Sequence, residues 1–310
     1  MNYQTQKINF YQKRSFGENI TATFDFLKSS WKPIIRLCLY ILLPLSVVQG
    51  VFMNNFSSAA IDSAKYPPST MGALSGLSYS VIINYLLLII FYVIGQTIVT
   101  AIVYTVMQKY QSSEKLEKYT LSDIKDDFIS CLKQCFILTF YVMIIVLGYA
   151  AIVGVSAALF PYLLFLIIPG TFALIIPFSL IFPAYIFGEE TGTNNALKQA
   201  FRLGFPTWGS LFLLIVILTI ISSIIQTITF IPWYAGVIIK NVLGLMNKTS
   251  EASGSIWSDF LMYILAAIQV FGSYLAVLLV LPGVAFHYFS ASEAKDSVSV
   301  NNDIENFEQL

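Results

Sequence analysis

Two groups of polar residues could carry chemistry in this chain. Gln96, Gln226 and Gln269 lie inside long apolar stretches, and Glu189, Glu190, Lys198 and Arg202 lie in a polar interruption between two such stretches. The three glutamines could line a cavity for a substrate, helped by Thr100, Ser222, Ser223 and Ser273. They could equally hold helices together by hydrogen bonds, worth about 0.6 kcal/mol each in lipid. Glu189 and Glu190 could hold a cation or a partner; they also suit the N-terminal dipole of a following helix, or pairing with Lys198 or Arg202. Lys198 and Arg202 point to a basic, cytoplasmic surface for lipid headgroups or a protein.

Other chemistries are poorly served. An ionisable residue deep in a membrane helix marks a functional pathway, but Arg36, Asp259 and His287 all fall near the ends of apolar stretches. That argues against proton-coupled pumping and against an intramembrane aspartyl protease. Gly154-Val155-Ser156 resembles a serine-protease nucleophile motif. Its only histidine partner would be His287, at the opposite membrane face, across about 30 Å of hydrocarbon, whereas nucleophile and base must be within hydrogen-bond reach. Cys38, Cys131 and Cys135 have no metal-site spacing and read as free thiols. There is no zinc-protease motif and no phosphate-cradling loop. The expectation is a protein that is not an enzyme and carries no cofactor or metal.

The composition sets the solvent. Hydrophobic residues make up 57% of the 310 and charged residues 11%, against about 25% charged in soluble domains. Zero formal net charge gives no case for nucleic acid. The first 33 residues are polar and charged, so no cleavable leader is expected. Gln134 to Gly188 contains no charged residue. That run is too long for one crossing of about 20 residues and fits two, joined near Ser156 to Pro161.

The expected fold is all-α, a polytopic helical membrane protein with six transmembrane helices. Crossings are expected at Ile34–Phe52, Val81–Met107, Phe136–Val155, Tyr162–Phe187, Gly209–Ile231 (stopped by Pro232) and within Ser258–His287. Pro169, Pro177 and Pro183 each free a backbone carbonyl, which places the fourth crossing inside the bundle, where neighbours can satisfy it. Ala150, Gly154 and Ala158 offer a small-residue face to a neighbouring helix. Cytoplasmic amphipathic helices are expected before crossings one, three and five, over Ser15–Trp31, Thr120–Cys135 and Thr193–Trp208. Ser15 with Glu18, and Thr120 with Asp123, have capping-box spacing. Phe24 and Trp31, Phe128 and Cys135, and Phe201 and Trp208 recur at one step, which suggests three related units; interfacial aromatics alone would give much the same pattern. Residues 1–14 read as a polar, frayed segment, 15–287 as one helical membrane domain, 54–80 as a loop, and 288–310 as a disordered tail.

Lys and Arg set the orientation. Lys7, Lys13, Arg14, Lys28, Lys32 and Arg36, then Lys109, Lys115, Lys118, Lys125 and Lys133, then Lys198, Arg202 and Lys295 fall on one side; Lys65, Lys240 and Lys248 fall on the other. Both termini are therefore expected in the cytoplasm.

The run PGTFALIIPFSLIFPAYIFGEETGTNNALKQAFRLGFPTWGSLFLL, Pro169 to Leu214, has a proline-broken helix, an acidic step, a short helix with Ala-Leu and Arg-Leu, an aromatic and a further crossing. It resembles the membrane domain of membrane-bound glycerophosphodiester phosphodiesterases and related six-helix bacterial inner-membrane proteins. In that family the chemistry belongs to a separate soluble domain with acidic metal ligands and paired histidines, which one histidine cannot supply. The resemblance implies a membrane domain without the enzyme, in a bacterial inner membrane. The expected function is a scaffold or accessory component that engages membrane lipids, or a membrane or cytoplasmic protein partner, at the cytoplasmic face. The alternative is a transporter or permease for a small or amphipathic molecule.

Overall fold

A computed structural model describes residues 8–65, 79–112, 121–188, 192–246 and 256–298. Its helices are α1 (Phe16–Lys65), α2 (Tyr79–Ser112), α3 (Leu121–Leu159), α4 (Leu164–Phe178), α5 (Ile181–Phe187), α6 (Thr193–Gly204), α7 (Trp208–Met246) and α8 (Ile256–Asp296), with a 3-10 turn at Pro161–Leu163. No strand occurs among the described residues. Among the described residues six segments are long and apolar enough to cross a membrane: five lie in α1, α2, α3, α7 and α8, and α4 with α5 forms the sixth. The protein is an all-α, multi-pass integral membrane protein.

The helices run further than the hydropathy breaks suggest. At the start of α1, the Ser15 N–H donates to Glu18 Oε2 at 2.7 Å and the Glu18 N–H donates to Ser15 Oγ at 3.5 Å, a reciprocal cap. From there α1 passes through Pro33 and continues to Lys65, well into the stretch expected as a loop. Likewise α7 does not stop at Pro232 but runs on to Met246. A proline inside a helix removes one hydrogen bond, and in lipid a continuing helix is the remaining way to satisfy the other backbone groups. Only α6 forms a separate short helix before a crossing; the stretches expected before crossings one and three are continuous with α1 and α3. Thr120 and the Asp123 side chain lie outside the described residues.

The chain divides into two compact units. Unit 1 takes the described residues of Met1–Ile34, Thr100–Ile220 and Leu279–Leu310; unit 2 takes Ile35–Val99 and Ile221–Leu278. Each of α1, α2, α7 and α8 contributes to both.

Unit 1 is built on an aromatic core. Phe10, Tyr11, Phe26, Tyr104, Tyr110, Phe187, Phe286 and Phe289 form a connected set of stacked and edge-on rings. The segment before α1 is therefore not frayed over its described part. Phe10 is buried at 4% exposure, the Ile8 N–H donates to Tyr110 Oη at 3.3 Å, and the Arg14 N–H donates to Ser290 Oγ at 2.9 Å. The Arg14 guanidinium lies 5.4 Å over the Phe286 ring, a cation–π contact. Burial lowers its pKa and nearby Glu18 raises it again; a guanidinium stays charged at neutral pH regardless. The end of α8 also corrects an expectation. Residues 288–296 are helical, with Tyr288, Phe289, Ser290 and Ser292 buried, so order extends past the boundary expected at His287.

The fourth crossing is not enclosed as its prolines suggest. Phe165 is 89% exposed and Pro169 is exposed; within α4 only Ile176 and Pro177 are buried. The break falls at Ser179–Leu180, between Pro177 and Pro183, and there the chain is buried through Leu180, Ile181, Pro183 and Ala184. At the break the Ser179 N–H donates to the Ile175 and Ile176 carbonyls and the Ala184 N–H to Leu180 O, while the Ala173 carbonyl freed by Pro177 accepts from Trp208 Nε1 of α7 at 3.0 Å. Among the described residues nothing lies within 4 Å of where a Cβ on Gly154 would sit, so none of them packs on the small-residue face of α3 at that position.

Unit 2 packs α1 against α8 and α7 against α8. Trp233, Met262 and Ala266 form a buried cluster with Met53, Phe230, Val237 and Leu265 around it. At its rim Lys240 Nζ pairs with Asp259 Oδ1 at 2.8 Å.

Candidate functional site

The first candidate group, the three glutamines, is not one site. All three belong to unit 2. Gln269 is buried on α8, Gln96 is half-buried on α2, and Gln226 lies on α7. Gln226 is exposed although it shares a stripe of α7 with buried Ser222 and Trp233. A buried polar contact in unit 2 involves residues the periodicity did not mark. Tyr274, fully buried, donates its hydroxyl to Gln49 Oε1 and approaches Phe91 O at 3.5 Å. A Cβ on Gly95 would collide with the Tyr274 ring, so glycine there is what admits the tyrosine. Tyr274→Phe leaves the Gln49 acceptor unpaired and should cost about 1–3 kcal/mol. The check is a lower unfolding midpoint in detergent; an unchanged midpoint would show that the pair contributes nothing.

The second group divides as well. Glu189 and Glu190 lie outside the described residues. Lys198 and Arg202 sit on α6, four residues apart and on one side of the helix. The opposite side buries Ala196, Ala200, Leu203 and Gly204. A Cβ on Gly204 would lie 2.6 Å from Pro177 Cα, so α6 rests directly on the end of α4. Gly192, with φ of 114°, supplies the backbone turn that enters α6, in a region closed to residues with side chains.

Lys198 and Arg202 open onto a cavity of about 330 Å³ inside unit 1. Its α6 wall adds Asn195 and Gln199; the end of α8 adds Tyr288, Ser292 and Asp296; Tyr11 and Phe187 close the floor. Tyr11 Oη donates to Phe187 O at 3.2 Å, which ties the segment before α1 to the end of α5. Arg202 Nη2 pairs with Asp296 Oδ2 at 2.5 Å, and Lys295 Nζ donates to Arg202 O at 2.9 Å, clasping α8 to α6. Lys198 is exposed and has no ion-pair partner among the described residues. The cavity is thus rich in hydrogen-bond donors and carries two cations against one carboxylate. It suits a small group with more acceptors than donors.

The serine and histidine considered for hydrolysis do not meet. His287 is buried, with Nε2 3.0 Å from Thr207 Oγ1. Ser156 sits at the α3–α4 turn, where its carbonyl accepts from the Phe160 N–H. The aromatic steps expected to repeat also differ in environment: Trp31 is 53% exposed, Cys135 is fully buried and Trp208 is intermediate. Among the described residues, no three of His, Cys, Asp and Glu gather as they would around a metal ion.

Compared with protein-family models, curated proteins and solved structures, the chain matches none.

Proposed function

We propose that this is a non-catalytic membrane protein that engages phospholipid at its lysine- and arginine-bearing face, and that this face is cytoplasmic. The observation that carries the reading is the donor-rich cavity beside Lys198 and Arg202. It brings polar and charged groups together with the apolar Phe187 and Val298, it is of headgroup size, and it lies on the element that the positive-inside bias assigns to the cytoplasm. Phe205, one turn beyond Arg202, is 50% exposed and stacks on Phe201 at 5.5 Å. The same helix side therefore offers charge to a headgroup and an aromatic surface to its chains. The resemblance of Pro169–Leu214 to a membrane domain whose chemistry resides elsewhere points the same way.

Basic residues at a membrane surface contribute about 1 kcal/mol each toward anionic headgroups. Lys198→Gln with Arg202→Gln should therefore weaken phospholipid retention by roughly thirtyfold, the equivalent of about 2 kcal/mol. Quantifying phospholipid that stays with the protein through detergent purification checks this. Equal retention by wild type and double variant would sink the reading.

A permease is the second reading, favoured by one observation. Gln269 Oε1 and Ser222 Oγ are buried in unit 2 with no hydrogen-bond partner among the described residues. Buried polar atoms of that kind can be met by water. The close helix approach at Gly50 and Gly95 favours a dry interior instead. A Gln269→Cys variant should resist a membrane-impermeant thiol reagent; ready labelling would favour the permease.

A further inference from the structure

We infer that the cavity beside α6 reads the headgroup itself, and selects a zwitterionic phosphodiester ending in a primary ammonium, as in phosphatidylethanolamine. This rests on the lipid-engaging reading and adds a specificity to it. A merely basic patch would collect anionic lipid in proportion to its positive charge. This cavity differs because it places a carboxylate among its cations. Asp296 lines it together with Lys198, Arg202, Asn195, Gln199 and Ser292.

The charges can be matched group by group. A phosphodiester carries one negative charge and only acceptor oxygens. It meets the Lys198 ammonium and the remaining donors of Arg202, whose Nη2 goes to Asp296; a guanidinium has five N–H donors. The amides of Asn195 and Gln199 bring further donors to the same wall. A primary ammonium one ethyl unit away carries three donors and a positive charge. Asp296 is the one anion of the described lining able to take it, since an ionised carboxylate offers about four lone-pair sites. The Arg202–Asp296 pair at 2.5 Å holds the two poles side by side, as a ligand with adjacent opposite charges requires. A quaternary ammonium has no N–H to give and a larger radius, so phosphatidylcholine fits the phosphate half alone. Phosphatidylglycerol brings its full negative charge to a lining whose net charge is only one positive.

Phe205 and Phe201 continue the α6 side that carries Lys198 and Arg202. They favour a headgroup that arrives with acyl chains over the free, deacylated compound.

The test is thermal stabilisation of the full-length protein in detergent, titrated with short-chain phosphatidylethanolamine, phosphatidylcholine and phosphatidylglycerol, and with soluble glycerophosphoethanolamine. Wild type should bind phosphatidylethanolamine roughly tenfold more tightly than phosphatidylcholine, the scale of one charge-assisted hydrogen bond. It should ignore the deacylated compound at the same concentrations. Asp296→Ala should erase the ethanolamine-over-choline preference while improving phosphatidylglycerol binding, a pattern that a folding defect does not produce. Lys198→Gln, an exposed change that breaks no ion pair among the described residues, should weaken all three lipids together. Equal binding of all three lipids, or a preference for phosphatidylglycerol in the wild type, would overturn the specificity and leave the lipid-engaging reading standing. Equal affinity for glycerophosphoethanolamine would overturn the lipid source. Stabilisation by none of the compounds would overturn both.

Discussion

Phe10→Ala should destabilise unit 1 by about 3–5 kcal/mol, the usual cost of truncating a buried phenylalanine. Phe10 is 4% exposed and touches the rings of Tyr110, Phe286 and Phe289 at centroid distances of 5.9, 5.3 and 5.0 Å. It lies outside any helix, so its own backbone does little to hold it in place. Removing the ring leaves a hole bounded by rigid helices that cannot close around it. The neighbouring contacts, Ile8 to Tyr110 and Arg14 to Ser290, then have to hold the segment by themselves. Two measurements check the outcome: a lowered unfolding midpoint in detergent, and faster protease cleavage between Ile8 and Arg14. Tyr11 lies next to Phe10 and lines the cavity, so the same variant should weaken lipid stabilisation. An unchanged midpoint would mean that the segment does not contribute to the fold.

The second large effect lies in unit 2. A Cβ on Gly50 would stand 2.8 Å from the backbone nitrogen of Ala267 and 3.0 Å from its Cα. Backbone atoms of a packed helix cannot step aside as a side chain can. Gly50→Ala should cost about 1–3 kcal/mol through overpacking, and Gly50→Val more. Alanine in place of glycine within a helix otherwise gains about 1 kcal/mol of propensity. Gly148 and Gly154 on α3 provide the control, because nothing lies within 4 Å of where their Cβ atoms would be. Gly148→Ala and Gly154→Ala should therefore be neutral or stabilising. Opposite signs at Gly50 and at the α3 glycines would confirm that α1 and α8 meet backbone to backbone. The same sign at all three positions would show that they do not.

The number of crossings was legible because an apolar run of membrane length has few alternatives. Helix ends were not. Pro33 and Pro232 look like boundaries, yet both lie inside continuous helices, since a single lost hydrogen bond costs less in lipid than abandoning the helix. The exposed α4 follows a related pattern: the prolines imply freed carbonyls that neighbours must satisfy, yet one side chain is enough for Pro177, whose freed Ala173 carbonyl accepts from Trp208 Nε1 at 3.0 Å. Phe10 carried no periodic signal, being one aromatic in a polar segment, and only the contacts of distant rings show its burial.

The candidate site was legible by halves. Lys198 and Arg202 stood out because charge is scarce and they sit four apart on a helix. Asp296, Ser292 and Tyr11 did not, since all three belong to terminal stretches that read as frayed or disordered, far in sequence from Arg202. Gln226 shows the opposite failure. A lone glutamine in an apolar run invites an inward placement, and Gln226 shares a stripe with buried Ser222 and Trp233, yet it is exposed.

Sidedness tests the account most directly. Cys38, Cys131 and Cys135 are all buried, so a cysteine placed at exposed position 198 (Lys198→Cys) is the thiol a membrane-impermeant reagent should find. The account predicts no labelling in intact cells and full labelling in inverted membrane vesicles. Labelling in intact cells would put the cavity on the outer face and contradict it.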